Sequence, residues 1–224
     1  MFRPIVACPN AVTLVGGGEA NATSLTKALS HAPTLVAADG GAAACLAAGH
    51  VPDAVIGDFD SLSDDAAADI PQGRLHHVAS QDDTDFDKCL KRIEAPGILG
   101  VGFLGGRIDH QLAAFSSLMR DPRPIVLISK REVVFMAPRA LRLRLAPGDP
   151  IAFYPLRPVE LTTRGVRYPL AATTVAPDGI ISTSNHVADP EVEIVTDRAG
   201  VLVTMPLAAL EPVLDALWPH VRAK

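Results

Sequence analysis

The architecture of the chain follows from Ala54-Val55-Ile56-Gly57-Asp58-Phe59-Asp60-Ser61, in which an apolar run leads directly into two aspartates. The run predicts a buried strand, because strands covered on both faces are apolar throughout. If the extended backbone continues, alternation places Asp58 and Asp60 on one side and Phe59 on the other. Neighbouring carboxylates are tolerated around a cation such as Mg²⁺, which takes oxygen ligands. The alternative is a polar strand end at which Asp60 and Ser61 begin a turn or cap a helix.

A second strand end carries the same kind of residues. The apolar segment 34–38 ends in Asp39-Gly40-Gly41, and an alanine-rich helix is predicted over 42–48. In open α/β sheets, ligands bind beyond the carboxyl ends of the strands. Asp39 and Gly40 are therefore candidates for a ligand site, and a helix cap is the alternative role for Asp39.

The acidic cluster Gln81-Asp82-Asp83-Thr84-Asp85 opens a third motif. The apolar positions that follow have helical spacing, and they are Phe86, Cys89, Leu90 and Ile93. Asp82 and Asp85 can share one face of such a helix, which needs only one residue as its cap. Lys88 lies three residues beyond Asp85, where it reaches either a phosphate or Asp85 itself.

A fourth strand end has an arginine and an acid. The apolar segment 98–104 runs into Gly105-Gly106-Arg107-Ile108-Asp109-His110, and a helix is predicted over 111–120. Leu112, Phe115 and Met119 follow the apolar spacing of a helix, so we expect this helix to bury them. Arg107 offers a planar fork suited to phosphate oxygens, and Asp109 could cap the helix, orient Arg107 or take a proton.

About six β-units separated by helices predict a mostly parallel, doubly wound sheet over residues 1–131. From residue 132 the pattern changes to short β-like runs punctuated by Pro, Gly and Asp. This is typical of an antiparallel β-sandwich, which we place at 132–224 together with a C-terminal helical tail over 207–217. The fold class is therefore α/β with a second, β-sandwich domain. Ser182-Thr183-Ser184-Asn185 is predicted as the polar tip of a strand over 179–183, which either hydrogen-bonds a small substrate or forms an ordinary Ser/Asn turn.

Composition excludes several classes of function. The chain has 224 residues, a net charge of −5 and no basic run, which argues against a nucleic-acid partner. It contains no apolar run of about 18 residues, so we expect no membrane span. Its three cysteines lack metal-ligand spacing, which favours reduced thiols in a cytoplasmic protein.

Taken in order, the motifs at 38–42, 57–61, 81–85, 105–110 and 182–185 resemble the thiamin pyrophosphokinase (thiamine diphosphokinase) family. The resemblance covers about residues 12 to 205. It implies a homodimer with active sites in clefts between subunits, where ATP and Mg²⁺ sit on the α/β domain and thiamine on the β-sandwich. In that reaction the hydroxyl group of thiamine attacks the β-phosphorus of ATP, and AMP leaves.

The motifs and the resemblance together supply a set of candidate site residues. The candidates for catalysis are Asp58, Asp60, Asp82, Asp85 and Arg107, with Mg²⁺ on Asp58, Asp60 and Asp82. The candidates for binding the nucleotide are Asp39, Gly40, Ser61, Lys88, Arg107, Asp109 and His110. The candidates for binding thiamine are Asp82, Ser184 and Asn185. Either Asp82 or Asp85 accepts the proton of the hydroxyl group.

The chain departs from the family pattern at one position. Some members have a tryptophan in the final strand that stacks on thiamine, whereas this chain has Val203. One hypothesis is that Trp218 supplies the stacking ring. Two other functions remain open: a pyrophosphokinase for another hydroxymethyl substrate, such as a pterin, and a non-catalytic sensor of a nucleotide or thiamine diphosphate.

Overall fold

The computed structural model describes residues 3–80 and 82–219. It divides into two compact units, Met1–Lys130 and Arg131–Lys224. The first unit alternates strands with helices, and the second is built mainly from strands.

The first unit contains eight strands and five α-helices among its described residues. The strands are β1 (Val6–Ala7), β2 (Val12–Val15), β3 (Thr34–Ala38), β4 (Ala54–Gly57), β5 (Leu75–His77), β6 (Ile93–Glu94), β7 (Ile98–Val101) and β8 (Ile125–Ile128). The helices are α1 (Ala22–His31), α2 (Gly41–Ala47), α3 (Asp64–Ala68), α4 (Asp85–Leu90) and α5 (Ile108–Arg120), with a 3-10 turn at Gln72–Arg74.

Six of these strands form a parallel sheet in the order β8-β7-β2-β3-β4-β5. The chain moves outward from β2 to β5 and then returns to the other side of β2, which makes the sheet doubly wound. Every residue of β2, β4, β7 and β8 is buried, because helices cover both faces of such a sheet. The predicted fold class is confirmed in this unit.

The second unit contains two antiparallel arrangements of four strands. Its elements are β9 (Glu132–Met136), β10 (Ala140–Arg144), β11 (Pro150–Pro155), β12 (Val159–Arg164), β13 (Thr173–Val175), β14 (Ser182–His186), β15 (Glu191–Thr196), β16 (Val201–Pro206), a 3-10 turn at Leu207–Ala209 and α6 (Leu210–Leu217). The strand orders are β14-β11-β16-β9 and β10-β15-β12-β13. In β10, β12 and β15 buried and exposed residues alternate, so one face of that sheet packs inward as in a β-sandwich.

Two helices of the first unit differ from their predicted form. Helix α4 ends at Leu90, and Ile93 lies in β6, where it pairs with Val6. Helix α5 begins at Ile108, three residues earlier than expected. It buries Ala114, Ser117 and Leu118, while Leu112 is 56% exposed. The predicted buried face is therefore wrong for Leu112, and Phe115 and Met119 are only partly buried.

The C-terminal tail packs into the second unit. Pro212 lies in the first turn of α6, where a missing backbone N–H costs little. Trp218 follows this helix and is only 1% exposed. The hypothesis that Trp218 stacks on a substrate is therefore wrong, since the core already covers its ring. No helix in the described ranges is both long and apolar enough to cross a bilayer.

Candidate active site

The sheet order explains why residues distant in sequence meet. Strands β3 and β4 are parallel neighbours, so their carboxyl ends lie side by side. Asp39 follows β3 directly and Asp58 follows β4 directly. Gly41 allows α2 to begin in close contact with the end of β2. A Cβ on Gly41 would lie 2.1 Å from the carbonyl oxygen of Val15, so no larger residue fits there without a shift of the backbone.

The turn after β4 brings its two aspartates together in a way that differs from the prediction. The strand ends at Gly57, and Phe59 has a φ of 66°, in the left-handed region that bulky side chains rarely adopt. Strand alternation is therefore the wrong explanation for the proximity of Asp58 and Asp60. A tight turn produces it, with the Phe59 ring edge-on to His77 at 5.7 Å.

Three carboxyl groups converge at this edge of the sheet. Among the described residues, Asp39, Asp58 and Asp60 each offer an oxygen within 4.8 Å of the others. The Asp39 side chain is fully buried, and neither of its oxygens has a hydrogen-bond partner. Burial, and then the negative charge of Asp85, raise the pKa of Asp39 to about 6. Buried polar atoms are normally satisfied, so an unpartnered carboxylate facing two others indicates a place for a cation.

The oxygen donors fit a hard divalent ion such as Mg²⁺. Asp39 belongs to this group, although the sequence assigned it to the nucleotide. Asp82, which was assigned to the metal, is exposed and is not a member of the group. The position of Asp39 could have been found from the sequence, because residues that directly follow consecutive strands of a doubly wound sheet tend to be neighbours.

The lack of a side chain at Gly57 leaves room for Asp39. A Cβ there would lie 2.8 Å from the Asp39 Cβ and 3.3 Å from its Cα. We expect Gly57→Ala to lower the free energy of unfolding by roughly 1–3 kcal/mol, since overpacking forces the backbone of Asp39 to move. Gly73→Ala is the matched control because nothing lies within 4 Å of a Cβ at Gly73. Urea unfolding measures both variants, and equal stabilities would contradict the packing described.

Lys88 links the acidic cluster to the next motif. Its side chain is 3% exposed, and its Nζ donates to Asp58 Oδ2 at 2.7 Å and to Asp85 Oδ1 at 2.9 Å. Burial opposes the charge of Lys88, but the hydrogen bonds to the two carboxylates outweigh it and raise its pKa. The hydrogen bond from Lys88 in turn holds the pKa of Asp58 below its usual range. Of the two predicted roles for Lys88, the structure shows the ion pair.

A polar network that the sequence reasoning missed fixes α4 against α5. Asp87 Oδ1 accepts hydrogen bonds from Ser117 Oγ at 2.7 Å and from Arg120 Nη2 at 2.9 Å. Burial disfavours the charged form of Asp87, but the hydrogen bonds from Ser117, Thr84 and Arg120 outweigh it and lower its pKa. The sequence offered no signal for this network, because Ser117 does not lie on the helix face that the apolar spacing predicts to be buried.

Arg107 and Asp109 lie at the same edge of the sheet, beyond the end of β7. Strand order places β7 three strand spacings, or about 14 Å, from β4. The Arg107 guanidinium donates to both oxygens of Asp109, at 3.1 and 2.5 Å, and its side chain is 71% exposed. This pair holds the pKa of Asp109 below its usual range, which makes Asp109 a poor proton acceptor. His110 is exposed beside it.

Two smaller candidates also lie beside the acidic cluster. Ser61 is exposed, and its Oγ donates to Asp60 Oδ1 at 2.9 Å. Gly40 precedes α2, and a Cβ there would lie 3.4 Å from the Cβ of Ser61. The turns after β3 and β4 therefore contact each other through these residues.

Ser184 and Asn185 lie within β14, where the sequence predicted a polar tip. Asn185 is buried and its amide group is fully engaged: Oδ1 accepts from the backbone N–H of Tyr168 at 3.0 Å and of His186 at 2.9 Å. Its Nδ2 donates to the backbone carbonyl of Tyr168 at 2.9 Å. Ser184 is exposed with a φ of 57°. Asn185 therefore orders the segment around Tyr168, and Ser184 is the member of the pair that faces solvent.

Comparison with known families gives two matches. The thiamin pyrophosphokinase catalytic domain matches residues 25–127, and the thiamin pyrophosphokinase vitamin B1 binding domain matches residues 140–201. The first match contains the three converging aspartates, Lys88 and Arg107. The second contains β14 with Ser184 and Asn185.

Individual relatives agree with these matches. Thiamine pyrophosphokinase 1 of Arabidopsis thaliana is 30% identical over 166 residues, which cover 65% of this chain and 62% of the relative. Thiamine pyrophosphokinase of Bacillus subtilis is 28% identical over 198 residues, which cover 79% of this chain and 89% of the relative. The alignment thus takes in less than two thirds of the Arabidopsis protein. A crystal structure of the Bacillus subtilis enzyme has a TM-score of 0.71 at 24% identity, covering 88% of this chain and 98% of that one, and shows the shared fold.

Proposed function

The chain belongs to the thiamin pyrophosphokinase family, and we propose that it transfers the pyrophosphoryl group of ATP to the hydroxyl group of thiamine. The products would be thiamine diphosphate and AMP. The observation that carries this proposal is the buried, unpartnered carboxylate of Asp39 beside Asp58 and Asp60, within the match to the catalytic domain.

We assign the Mg²⁺ site to Asp39, Asp58 and Asp60. A bound Mg²⁺ ion would neutralise the charge that builds up on the transferred phosphates. Lys88 would orient Asp58 by holding its Oδ2. Magnesium usually binds through a few carboxylates together with substrate phosphates, and three converging aspartates suit that mode.

In the proposed step, the hydroxyl oxygen of thiamine forms a bond to the β-phosphorus of ATP. The bond from that phosphorus to the oxygen bridging the α- and β-phosphates breaks, and AMP leaves with this oxygen. The hydroxyl proton passes to a carboxylate, either Asp82 or Asp85. Asp85 is the favoured proton acceptor because Lys88 links it to the cluster of converging carboxyl groups, and the hydrogen bond from Lys88 engages its Oδ1.

Arg107 is proposed to bind the phosphates of ATP. Asp109 is proposed to orient the guanidinium group of Arg107. We expect Arg107→Gln to lower kcat/KM for ATP by about 10²-fold, which is the usual effect of removing one hydrogen-bond donor that stabilises the transition state. The melting temperature should not change, because the side chain is exposed. Arg142→Gln is the control, since Arg142 is an exposed arginine paired with Glu193 in the second unit. Steady-state kinetics and thermal unfolding test both variants, and an unaltered kcat/KM in Arg107→Gln would exclude the contact.

The second unit is proposed to bind thiamine, since it contains the match to the vitamin B1 binding domain. Ser184 is the candidate for direct contact because its side chain faces solvent. Asn185 would act indirectly, by ordering the backbone of Tyr168 through three hydrogen bonds of its amide group to Tyr168 and His186.

Two alternatives to this function are separated by one experiment. AMP release is measured with Mg²⁺-ATP and either thiamine, a hydroxymethyl-dihydropterin or no acceptor. Turnover with thiamine supports the proposal, whereas turnover with the pterin alone supports a related pyrophosphokinase. Binding of Mg²⁺-ATP without turnover on either alcohol supports a sensor.

We further propose that the protein is a cytoplasmic homodimer. All three cysteines are free, and two of them, Cys45 and Cys89, are buried, which suits a reducing compartment. Ile108 and Leu112 are exposed apolar residues on α5 that a second copy could cover. Light scattering coupled to size-exclusion chromatography tests the dimer, and a monomer at micromolar concentration would contradict it.

A further inference from the structure

The ammonium group of Lys88 is a buried positive charge beside the acidic cluster. It lies between carboxylates that come from separate motifs, Asp58 after β4 and Asp85 at the start of α4. Its distances to one oxygen of each are 2.7 and 2.9 Å, and the side chain is 3% exposed. A buried lysine needs compensation for the water it has lost, and the two carboxylates supply it.

Asp58 is shared between two cation positions. Its Oδ2 binds the Lys88 ammonium group, and one of its oxygens lies within 4.8 Å of oxygens of Asp39 and Asp60. A two-metal site likewise holds two cations close together, about 3.5–4 Å apart. Here one of the two cations belongs to the protein.

We propose that Lys88 takes the place of a second divalent ion, so that this edge of the sheet holds a single Mg²⁺, between Asp39, Asp58 and Asp60. This inference depends on the proposed function in one respect, namely that the protein binds a divalent metal ion. A protein positive charge at this position does not depend on free magnesium, and it keeps Asp58 and Asp85 in place before the ion binds. Lys88 is therefore a positioning residue.

The test counts the metal ions bound to the protein in the absence of both substrates. The number of bound ions can therefore be interpreted even if the protein does not catalyse the proposed transfer reaction. Mn²⁺ is used as the probe, and electron paramagnetic resonance measures free and bound ion. We expect one Mn²⁺ per chain for the unaltered protein and for Lys88→Arg. For Lys88→Ala, which removes both the charge and the side chain, we expect two.

Lys91→Ala is the matched control. Lys91 follows the same helix and pairs with Asp83 at 2.5 Å, but its side chain is 47% exposed and it does not contact the cluster. We expect one Mn²⁺ per chain for this variant. Two ions on the unaltered protein, or one ion on Lys88→Ala with unchanged affinity, would overturn the proposal.

Lys88→Ala could fail to fold without metal, since it leaves Asp58 and Asp85 unpaired. In that case the variant is refolded in millimolar Mn²⁺ and followed by circular dichroism. Recovery of the folded state with two bound ions supports the proposal. Recovery with one ion, or no recovery, overturns it, because a divalent ion then does not replace the ammonium group.

Discussion

Replacing Asp58 and Asp60 together by asparagine is expected to reduce thiamine-dependent AMP release by at least about 10³-fold while leaving the fold intact. Asparagine keeps the shape of aspartate but removes the charge that would hold Mg²⁺, and this interaction supplies several kcal/mol to the transition state. The two side chains lie in a turn after β4, outside the buried sheet, and the buried Lys88 keeps its ion pair with Asp85 when it loses the charge of Asp58, so we expect a lower stability but the same fold. AMP is measured by a coupled assay, and the fold by circular dichroism.

The control for this variant is a second pair of neighbouring aspartates. Asp64 and Asp65 are exposed in the first turn of α3, and neither belongs to the cluster of converging carboxyl groups. Asp64→Asn with Asp65→Asn removes the same charge from the same unit, and we expect its activity to stay within about twofold of the unaltered protein. Full activity of the Asp58/Asp60 variant would refute the metal assignment.

Asp39→Asn is expected to make the metal-free protein more stable. The pKa of Asp39 is about 6 in the folded state against an ordinary value of 3.8. Between these values the folded state binds more protons than the unfolded state, so stability falls as pH rises from about 4 to about 6. Asparagine carries no such charge, and at pH 7 the variant should gain roughly 1–3 kcal/mol in its free energy of unfolding.

The dependence of stability on pH and on Mg²⁺ shows whether Asp39→Asn stabilises the protein by removing the buried charge or by some other effect. In urea unfolding with EDTA, the two proteins should have nearly equal stability at pH 4, diverge between about pH 4 and pH 6, and differ by a constant amount above that range. Added Mg²⁺ should stabilise the unaltered protein, since an ion that binds only the folded state raises its stability, and should have much less effect on Asp39→Asn. A variant that is less stable at pH 7 without metal would show that the Asp39 carboxylate is not a source of strain.

Much of the fold could be predicted because its signals are local. Apolar runs that end in Asp39, Asp58 and Arg107 indicate strands of a parallel sheet, and the shared direction of such strands brings their carboxyl ends to one edge. Neighbouring positions for the consecutive strands β2 to β5 then follow from common rules of connection, whereas the return of β7 to the other side of β2 does not. These steps are enough to place Asp39 beside Asp58, which the assignment of Asp39 to the nucleotide overlooked.

Other parts of the site depend on geometry that the sequence does not specify. The turn at Phe59 has a left-handed backbone, and strand alternation gives no indication of it. The burial of Lys88 depends on how α4 packs against β4, and the contact of Asp87 with Ser117 depends on the rotation of α5. Trp218 was a candidate stacking ring because Val203 stands where some family members have a tryptophan, but the Trp218 side chain is buried.

The most direct test of the central claim is the identity and ratio of the products. Phosphorus NMR of a reaction with Mg²⁺-ATP and thiamine should show AMP and thiamine diphosphate in equal amounts, with neither formed when thiamine or Mg²⁺ is left out. Formation of ADP with thiamine monophosphate, or of AMP with free pyrophosphate at the same rate without thiamine, would contradict the transfer of a pyrophosphoryl group to this substrate.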